Sequence, residues 1–458
     1  MKQSNRPRQL HNPSSSSKID WSKYEKKNYL HFDEPIEIQH IKDRLQNPEW
    51  VASYAFLPSI HFTIVFNKYV SISNTITNEK YKEKKQKKRQ IYYAAHKDRF
   101  IYKYYGDLLN NAYNEYATDN GIDDIALAYR NNKCGKNNVD FSYEVFDFIL
   151  NQNNVLVISI DFTSFFDNIN HRILKQNIKT VLDTQELPLD WFKVYKSLTQ
   201  FTYVHRSSVD AYLFANYGVK RLKKELQRRQ LRTIMSPQHY RAFKKDNLYK
   251  NKKPYGIPQG SGMSAVCSNV HLIHFDKEIK QWAEKYNALY RRYCDDLILV
   301  IPLSEIDDGV VSTLKNEVLQ KIKKYEEQGL KIQDEKTEIR IYTDGSIVDE
   351  ENNKSALDYL GFVIDGQVVR LREKSLFKYY SRAFRKAKTS RRISFATKRK
   401  GPRRELYQIY SHLGFNYKGR GNFISYANKA HKKMSRLGLK SHIRKQVKGH
   451  WNKIHKRI

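Results

Sequence analysis

Apolar positions along the chain follow two rhythms, and their order outlines a mixed α+β fold. Phe100 to Tyr116 repeats Ile101, Tyr104, Tyr105, Leu108, Leu109, Ala112 and Tyr113 at helical spacing. Phe141 to Leu150 is a shorter amphipathic helix. Val155-Leu-Val-Ile-Ser-Ile160 is unbroken and rich in β-branched residues, which predicts a strand buried on both faces, and it ends on Asp161. Leu289–Tyr293 and Leu297–Ile301 predict two strands of a hairpin with Asp295 and Asp296 at its turn. A second hairpin is expected from Tyr359–Ile364 and Gln367–Arg370 around Asp365-Gly366.

Between these landmarks the pattern is less regular. Phe56–Phe66 is apolar and structured, and Lys80–Arg89 reads as a solvated, lysine-dense segment. Arg89–Phe100 then reads as the entry from a strand, through a turn, into the long helix. Leu187–Leu248 is helical in character and heavily basic. Pro254–Ser264 is a Gly/Pro loop that opens a helix with apolar Val266, Val270, Leu272, Ile273 and Phe275. Ser304 with Asp307 forms a capping-box pattern for a helix to about Gln328, with Gly329 as its terminator. Leu330–Ile341 reads as a strand with a turn. No internal repeat is visible.

Charge changes the picture. The 458 residues carry a formal net charge of +35, far beyond what solubility needs, which points to a polyanionic partner. From Leu371 to Ile458 there are 27 Lys and Arg against two acids, Glu373 and Glu405, a net of +25. Hydrophobic content of 40% argues for a folded protein. Met1–Lys18 is basic and polar with a run of four serines, which predicts a disordered arm and no secretory signal. No apolar run approaches a membrane span, so no membrane partner is expected. Cys134, Cys267 and Cys294 show no Cys-x-x-Cys spacing, which argues against a disulfide framework or zinc ribbon and suits a reducing cytoplasm.

Asp-Asp is poor turn chemistry, and two adjacent carboxylates at the tip of a buried hairpin repel unless a cation neutralises them. An ordinary charged turn would read the same way, and Asp161 alone would serve as a cap for a helix from Asp167. The order of the pieces is more informative: a strand ending in Asp161, a Gly-rich loop with Gln259 opening a helix, then the Asp295-Asp296 hairpin. On one antiparallel sheet these carboxylates would hold two divalent cations about 3.5–4 Å apart, the arrangement for in-line displacement at phosphorus. Magnesium suits such hard oxygen donors, and Mn2+ would substitute.

The quoted motifs resemble those of reverse transcriptases. Tyr293-Cys-Asp-Asp296 is similar to their signature hairpin, and Asp161-Phe-Thr-Ser-Phe-Phe-Asp-Asn-Ile169 to their first metal-binding motif. Pro258-Gln-Gly-Ser-Gly-Met-Ser264 resembles the loop and helix that receive the nucleotide. Lys336-Thr337 and Tyr359-Leu-Gly-Phe362 resemble the following palm motif and the primer-grip hairpin. The likeness runs in register from about Arg89 to Gly366.

The resemblance implies a right-hand polymerase of fingers, palm and helical basic thumb. Residues 1–18 would be the arm, 19–154 an N-terminal extension with fingers, 155–366 the palm with a basic helical insertion at about 187–250, and 367–458 the thumb. It makes Asp161, Asp295 and Asp296 catalytic metal ligands, joined by the Phe162 carbonyl. Phe166 would lie under the incoming sugar and reject a 2′-hydroxyl. Gln259, Arg89, Arg130 and Lys336 would attend the nucleotide, Arg89 as a forked clamp on the triphosphate and Lys336 as a proton donor or counter-charge to pyrophosphate. Arg130 fits a template contact as well, or a plain surface arginine. Tyr293, Tyr359 and Gly361 would line the primer, and Arg382, Arg385 and Arg391 would face the template–primer backbone. Cys294 would be a small packing residue.

The short stretch after the thumb, without a His/Asn-rich nuclease segment or zinc ligands, leads us to expect neither a retroviral or retrotransposon polyprotein nor a mobile group II intron protein. The style of Ala128-Tyr-Arg130, Phe165-Phe-Asp-Asn-Ile169 and Gly256-Ile-Pro-Gln-Gly260 is similar to bacterial enzymes: retron, abortive-infection and defence-associated reverse transcriptases. Within them the chain leans to the defence-associated group, type 2, which copies a structured noncoding RNA into concatenated cDNA from dNTPs in antiphage defence. Gly262-Met263-Ser264-Ala265 departs from the Ser-Pro of the viral motif. A template-independent or protein-primed polymerase, a retron enzyme and a non-catalytic RNA scaffold stay open as alternatives, and oligomeric state is not legible.

Overall fold

The computed structural model describes residues 19–73, 80–133, 135–228, 230–332, 337–399 and 401–458. The basic arm 1–18, Cys134 and Lys336 lie outside the described residues. In chain order the strands are β1 (Ser59–Ser73), β2 (Lys80–Tyr93), β3 (Asn154–Asp161), β4 (Thr202–His205), β5 (Tyr249–Lys250), β6 (Leu289–Tyr293), β7 (Asp296–Leu303), β8 (Glu338–Thr343), β9 (Ser346–Val348), β10 (Leu357–Tyr359), β11 (Phe362–Ile364), β12 (Val368–Leu371) and β13 (Lys440–Ser441). Helices fill most of the remainder, so the α+β class holds. Among the described residues no helix is long and apolar enough to cross a membrane.

The chain packs as two compact units, each discontinuous in sequence. Of the described residues, the first comprises those within 19–132, 162–277 and 322–331, and the second those within 133–161, 278–321 and 332–458. The segment 155–366 expected as palm is therefore shared between both.

In the first unit a four-stranded sheet runs β2-β1-β4-β5. The β1/β2 hairpin is antiparallel from Ile60 opposite Tyr93 to Ser73 opposite Lys80. The lysine-dense segment is thus a strand: ladder hydrogen bonds come from the backbone, so Lys87, Lys88 and Arg89 pair while their side chains stay exposed. β4 interrupts the stretch expected to be helical and pairs parallel with β1. Below the sheet, Ile60, Val204, Val209, Leu213 and Ile234 form a core. The long helix His96–Asp119 buries Ile101, Tyr105, Leu109, Tyr113 and Ala117, a stripe repeating every fourth residue. Gly106 lies on that helix because a Cβ there would come within 2.8 Å of the Gly262 carbonyl oxygen. Helix and Gly-rich loop approach backbone to backbone.

In the second unit β3 is the centre of a five-stranded antiparallel sheet, order β6-β7-β3-β8-β9. Successive residues Val155, Leu156, Val157 and Ile158 are all buried, as the unbroken apolar run predicts. Val155 and Val157 share a core with Ile298 and Val300 of β7, the helix Asn138–Leu150, the smaller sheet β10-β11-β12-β13 and the helix Phe423–Met434. The helix after β7 is Asp308–Lys323, and it is Asp307, not Ser304, whose carboxylate accepts the Val310 N–H at 3.0 Å. Gly329 still takes a left-handed φ of 101°, but it closes a separate short turn, Glu326–Gln328.

Candidate active site

The buried strand β3 delivers Asp161 at its last position, directly opposite Asp296, the first residue of β7. Asp296 in turn pairs with Tyr293 across the β6/β7 hairpin, leaving Cys294 and Asp295 as the two-residue turn. Two hydrogen-bonded ladders therefore gather the three expected carboxylates at one end of one sheet.

Cys294 is 4% exposed and holds φ at 61°, the left-handed conformation that two-residue hairpins usually give to Gly, Asn or Asp. Beneath it lies Arg292, fully buried, whose Nη1 donates to the Cys294 carbonyl at 2.9 Å. That donor fixes the turn from inside. Sequence reasoning passed over Arg292. Its signal was alternation: Tyr290 and Arg292 share the inward face of β6, so one charge had to lie in the core with partners.

Burial and the like charges of Asp295, Asp161 and Asp358 push the Asp296 pKa up to about 7, and Arg372 opposes them. Asp296 keeps a solvent-exposed face, and solvent there moderates both the desolvation and the like-charge repulsion. Arg372 bonds Asp358 through Nε at 2.6 Å, and its backbone N–H donates to the Gly361 carbonyl at 3.0 Å. This pair, also absent from the sequence reading, ties the β10/β11 hairpin to the carboxylate cluster. Among the described residues no three His, Cys, Asp or Glu side chains converge closely enough to hold an ion as they stand. The donor set itself, three hard carboxylates with an excess of negative charge, fits a divalent cation.

Other expected residues divide sharply. Tyr293 is half-buried beside Asp296, its ring 6.4 Å from Phe141. Leu360 and Gly361 take φ of 46° and 96° in the tight β10/β11 turn. Tyr359 is 4% exposed and belongs to the core, so its side chain has no surface to offer a primer. Burial and Asp296 raise its pKa, and its hydroxyl finds no hydrogen-bond partner among the described residues. Arg382, Arg385 and Arg391 are exposed on the helix Glu373–Thr397, which turns Tyr379, Ala383, Ala387 and Ser390 inward. Arg385, Lys388, Arg391 and Arg392 line a groove of about 870 Å³, where the Arg457 guanidinium lies 3.7 Å from the Phe384 ring centre.

The remaining candidates belong to the first unit. Phe162 is buried, its ring 5.9 Å from Phe275. The Phe166 carbonyl accepts the Ile257 N–H at 2.9 Å, and the Gln259 carbonyl accepts the Tyr92 N–H at 3.4 Å. Phe166, the Gln259 loop and β2 are thus one backbone assembly. Arg89 departs from expectation: strand alternation puts it on the face of β2 opposite Tyr92, leaning 5.6 Å over Phe66. Arg130 lies inside the fold. Its side chain is 0% exposed, paired with Asp123, bonded through Nε to Asn114 at 2.6 Å and stacked on Tyr113. Nε, Nη1 and Nη2 each donate to an acceptor of the protein, which ties the segment around Asp123 to the long helix at Asn114.

A family model described as "Reverse transcriptase (RNA-dependent DNA polymerase)" matches residues 81–364. That interval exceeds half the chain, and the protein belongs to the reverse transcriptase family. No curated protein matches it. Among solved structures it is similar to apo telomerase from Candida tropicalis, at 12% identity and a TM-score of 0.38 over 85% of this chain and 59% of that one. Telomerase from Candida albicans, in complex with a TWJ fragment of telomeric RNA, gives 12% identity and a TM-score of 0.38 over 91% and 64%. The RNA-dependent RNA polymerase of a human picobirnavirus gives 12% and 0.33 over 68% and 43%. The chain spans about six-tenths of the telomerase lengths.

Proposed function

We propose that this protein is an RNA-directed DNA polymerase that copies a structured noncoding RNA into cDNA by two-metal-ion nucleotidyl transfer, in bacterial antiphage defence of the type 2 defence-associated kind. The observation that carries the polymerase reading is the register of Asp161 against Asp296, with Asp295 in the adjoining turn. Asp161 and Asp295 would hold two Mg2+ ions, or Mn2+, with Asp296 and the Phe162 carbonyl alongside. Such ions, when bound, lower the pKa of a primer 3′-hydroxyl and neutralise charge on the departing pyrophosphate.

The chain's own residues orient the reactants. Arg292 pins the turn that presents Asp295. Arg372 favours the ionised form of Asp296, the form able to bind a cation. Phe166, next to the Gln259 loop, would bar a 2′-hydroxyl with its ring, and Lys336 would meet the pyrophosphate. The first unit would supply the fingers, and residues 367–458 the thumb that grips the template–primer through Arg382, Arg385 and Arg391. The setting fits the cytoplasm.

Primer extension on an RNA template with dNTPs and Mg2+ tests this. Asp161→Ala and Asp295→Ala are each expected to abolish synthesis while RNA binding persists. Synthesis retained by either variant would refute the assignment. Product formed from dNTPs without template would instead identify a template-independent enzyme. Sequencing RNA and DNA that copurify from cells tests the defence setting, where a single recurrent noncoding RNA with its concatenated cDNA is expected.

A further inference from the structure

The first-unit sheet has two unlike faces. One is packed: Ile60, Tyr93 and Val204 point into the core with Val209 and Leu213. The register puts His61 beside both Tyr92 and His205, and Tyr203 beside Tyr249, on the other face. Phe201, two residues before Tyr203, joins them. The six rings form one continuous array. His61 lies 4.7 Å from Tyr92 and 5.1 Å from His205, Tyr92 lies 4.9 Å from Phe201, and Tyr203 stacks on Tyr249 at 5.5 Å.

These rings are not core residues. His61, Tyr92, Phe201, Tyr203 and His205 are partly exposed, and Tyr249 is 43% exposed. Their orientation is fixed from within the array. His61 Nδ1 and His205 Nδ1 are 3.0 Å apart, and His61 Nε2 is 2.6 Å from Gln90 Oε1, which also accepts the Thr63 hydroxyl at 2.8 Å. The flanking run is cationic, with Asp167 the acid that acts on Tyr92 and Lys253. Lys250, Lys252 and Lys253 are exposed beside Tyr249, and no acid lies between Tyr249 and Lys253. At its inner end the array meets the Gln259 loop through the Tyr92 N–H.

We infer that this aromatic face is a stacking platform for the unpaired bases of single-stranded RNA, with the Lys250–Lys253 run neutralising its phosphates. Flat π-faces on a sheet, flanked by lysines, accept any base and give affinity without sequence readout. Duplex RNA, whose bases are already stacked, has nothing to offer the rings. The inference deepens the polymerase reading, since it gives the strand about to be copied a path to the Gln259 loop.

The test uses the full chain and a fluorescein-labelled 12-nucleotide oligouridylate beside a blunt RNA duplex, both read by anisotropy. Tyr203→Leu/Tyr249→Leu keeps apolar bulk and removes two rings. It is expected to weaken single-strand binding about tenfold or more, the scale of base–aromatic stacking, and leave duplex binding unchanged. Tyr203→Phe/Tyr249→Phe should bind as the parent does, which separates stacking from misfolding. Unchanged single-strand affinity in the leucine variant overturns the platform, as does an equal loss on duplex. Primer extension on a template with a one-nucleotide overhang keeps the two claims apart. A parent protein that binds oligouridylate through these rings yet extends no primer would refute the polymerase reading and leave the platform standing.

Discussion

Cys294 occupies the position in the β6/β7 turn where an L side chain meets the most resistance. Its φ of 61° costs any non-glycine residue about 1–2 kcal/mol, and a branched Cβ raises the crowding further. Size alone does not decide what fits there. Cys294→Ala is expected to match the parent in urea denaturation, and Cys294→Val, though apolar and close in volume, to lose stability by about 1–2 kcal/mol and synthesis with it. Equal stability of the two variants would show that the turn relaxes freely. A second residue-scale prediction concerns His31, which is wholly buried in the first unit. Its Nδ1 accepts the Phe32 N–H at 2.8 Å, and its Nε2 donates to the Tyr93 carbonyl at 3.3 Å, a pattern only the neutral ring satisfies. Burial holds its pKa below the ordinary 6.5, against the pull of Asp33. In the unfolded chain the ring takes up a proton near 6.5 and in the folded chain it does not, so stability is complete above that pH and declines as pH falls below it. Thermal melts between pH 7 and 5 should show this decline, with a shallower slope in His31→Gln, whose amide reproduces one donor and one acceptor. Parallel slopes would remove His31 from the account.

Elements that announce themselves by periodicity were legible in the sequence: the unbroken run of β3, the hairpin around Asp295 and Asp296, and the Asp365-Gly366 turn, where the Asp365 carboxylate accepts the Gln367 and Val368 N–H groups. Elements defined by a partner elsewhere were not. β4 is four residues long inside a basic, helix-rich stretch, and only its parallel pairing with β1 makes it a strand. The aromatic face was hidden for the same reason, since the pair His61 and Tyr92 of β1/β2 and the pair Tyr203 and Tyr249 of β4/β5 come together only through that pairing. The burial of the Arg130 side chain was likewise hidden, because a motif position does not reveal it. Gly106 shows the same dependence on a partner. An Ala in a helix interior usually gains about 1 kcal/mol over Gly, but here the added methyl would meet the Gly262 carbonyl. Gly106→Ala is therefore expected to lower the melting temperature and, by displacing the Gln259 loop, to raise the KM for dNTPs. A more stable Gly106→Ala protein with unchanged KM would mean that helix and loop slide apart without consequence.

At the scale of the whole molecule the net charge of +35 sets how the protein meets RNA. Displacement of counterions from the strand makes log affinity fall linearly with log salt, with a slope of about −0.7 per phosphate neutralised on a single strand. The basic helix Glu373–Thr397 contributes to that slope only through cations that face outward and lack an acidic partner. Lys386 is paired with Glu405 at 2.6 Å, whereas Arg385, Arg391 and Arg392 line the open groove beside Arg457. Arg385→Gln/Arg391→Gln/Arg392→Gln is expected to make the salt slope for oligouridylate binding shallower by about 2, while Lys386→Gln changes it little. The catalytic carboxylates separate charge from chemistry. Asp295→Ala should leave the slope near that of the parent while ending synthesis, and the triple glutamine variant should keep synthesis at low salt and lose it as salt rises. A triple variant with the parent's slope would show that the groove cations do not contact phosphate, and would move the electrostatic grip to other parts of the chain.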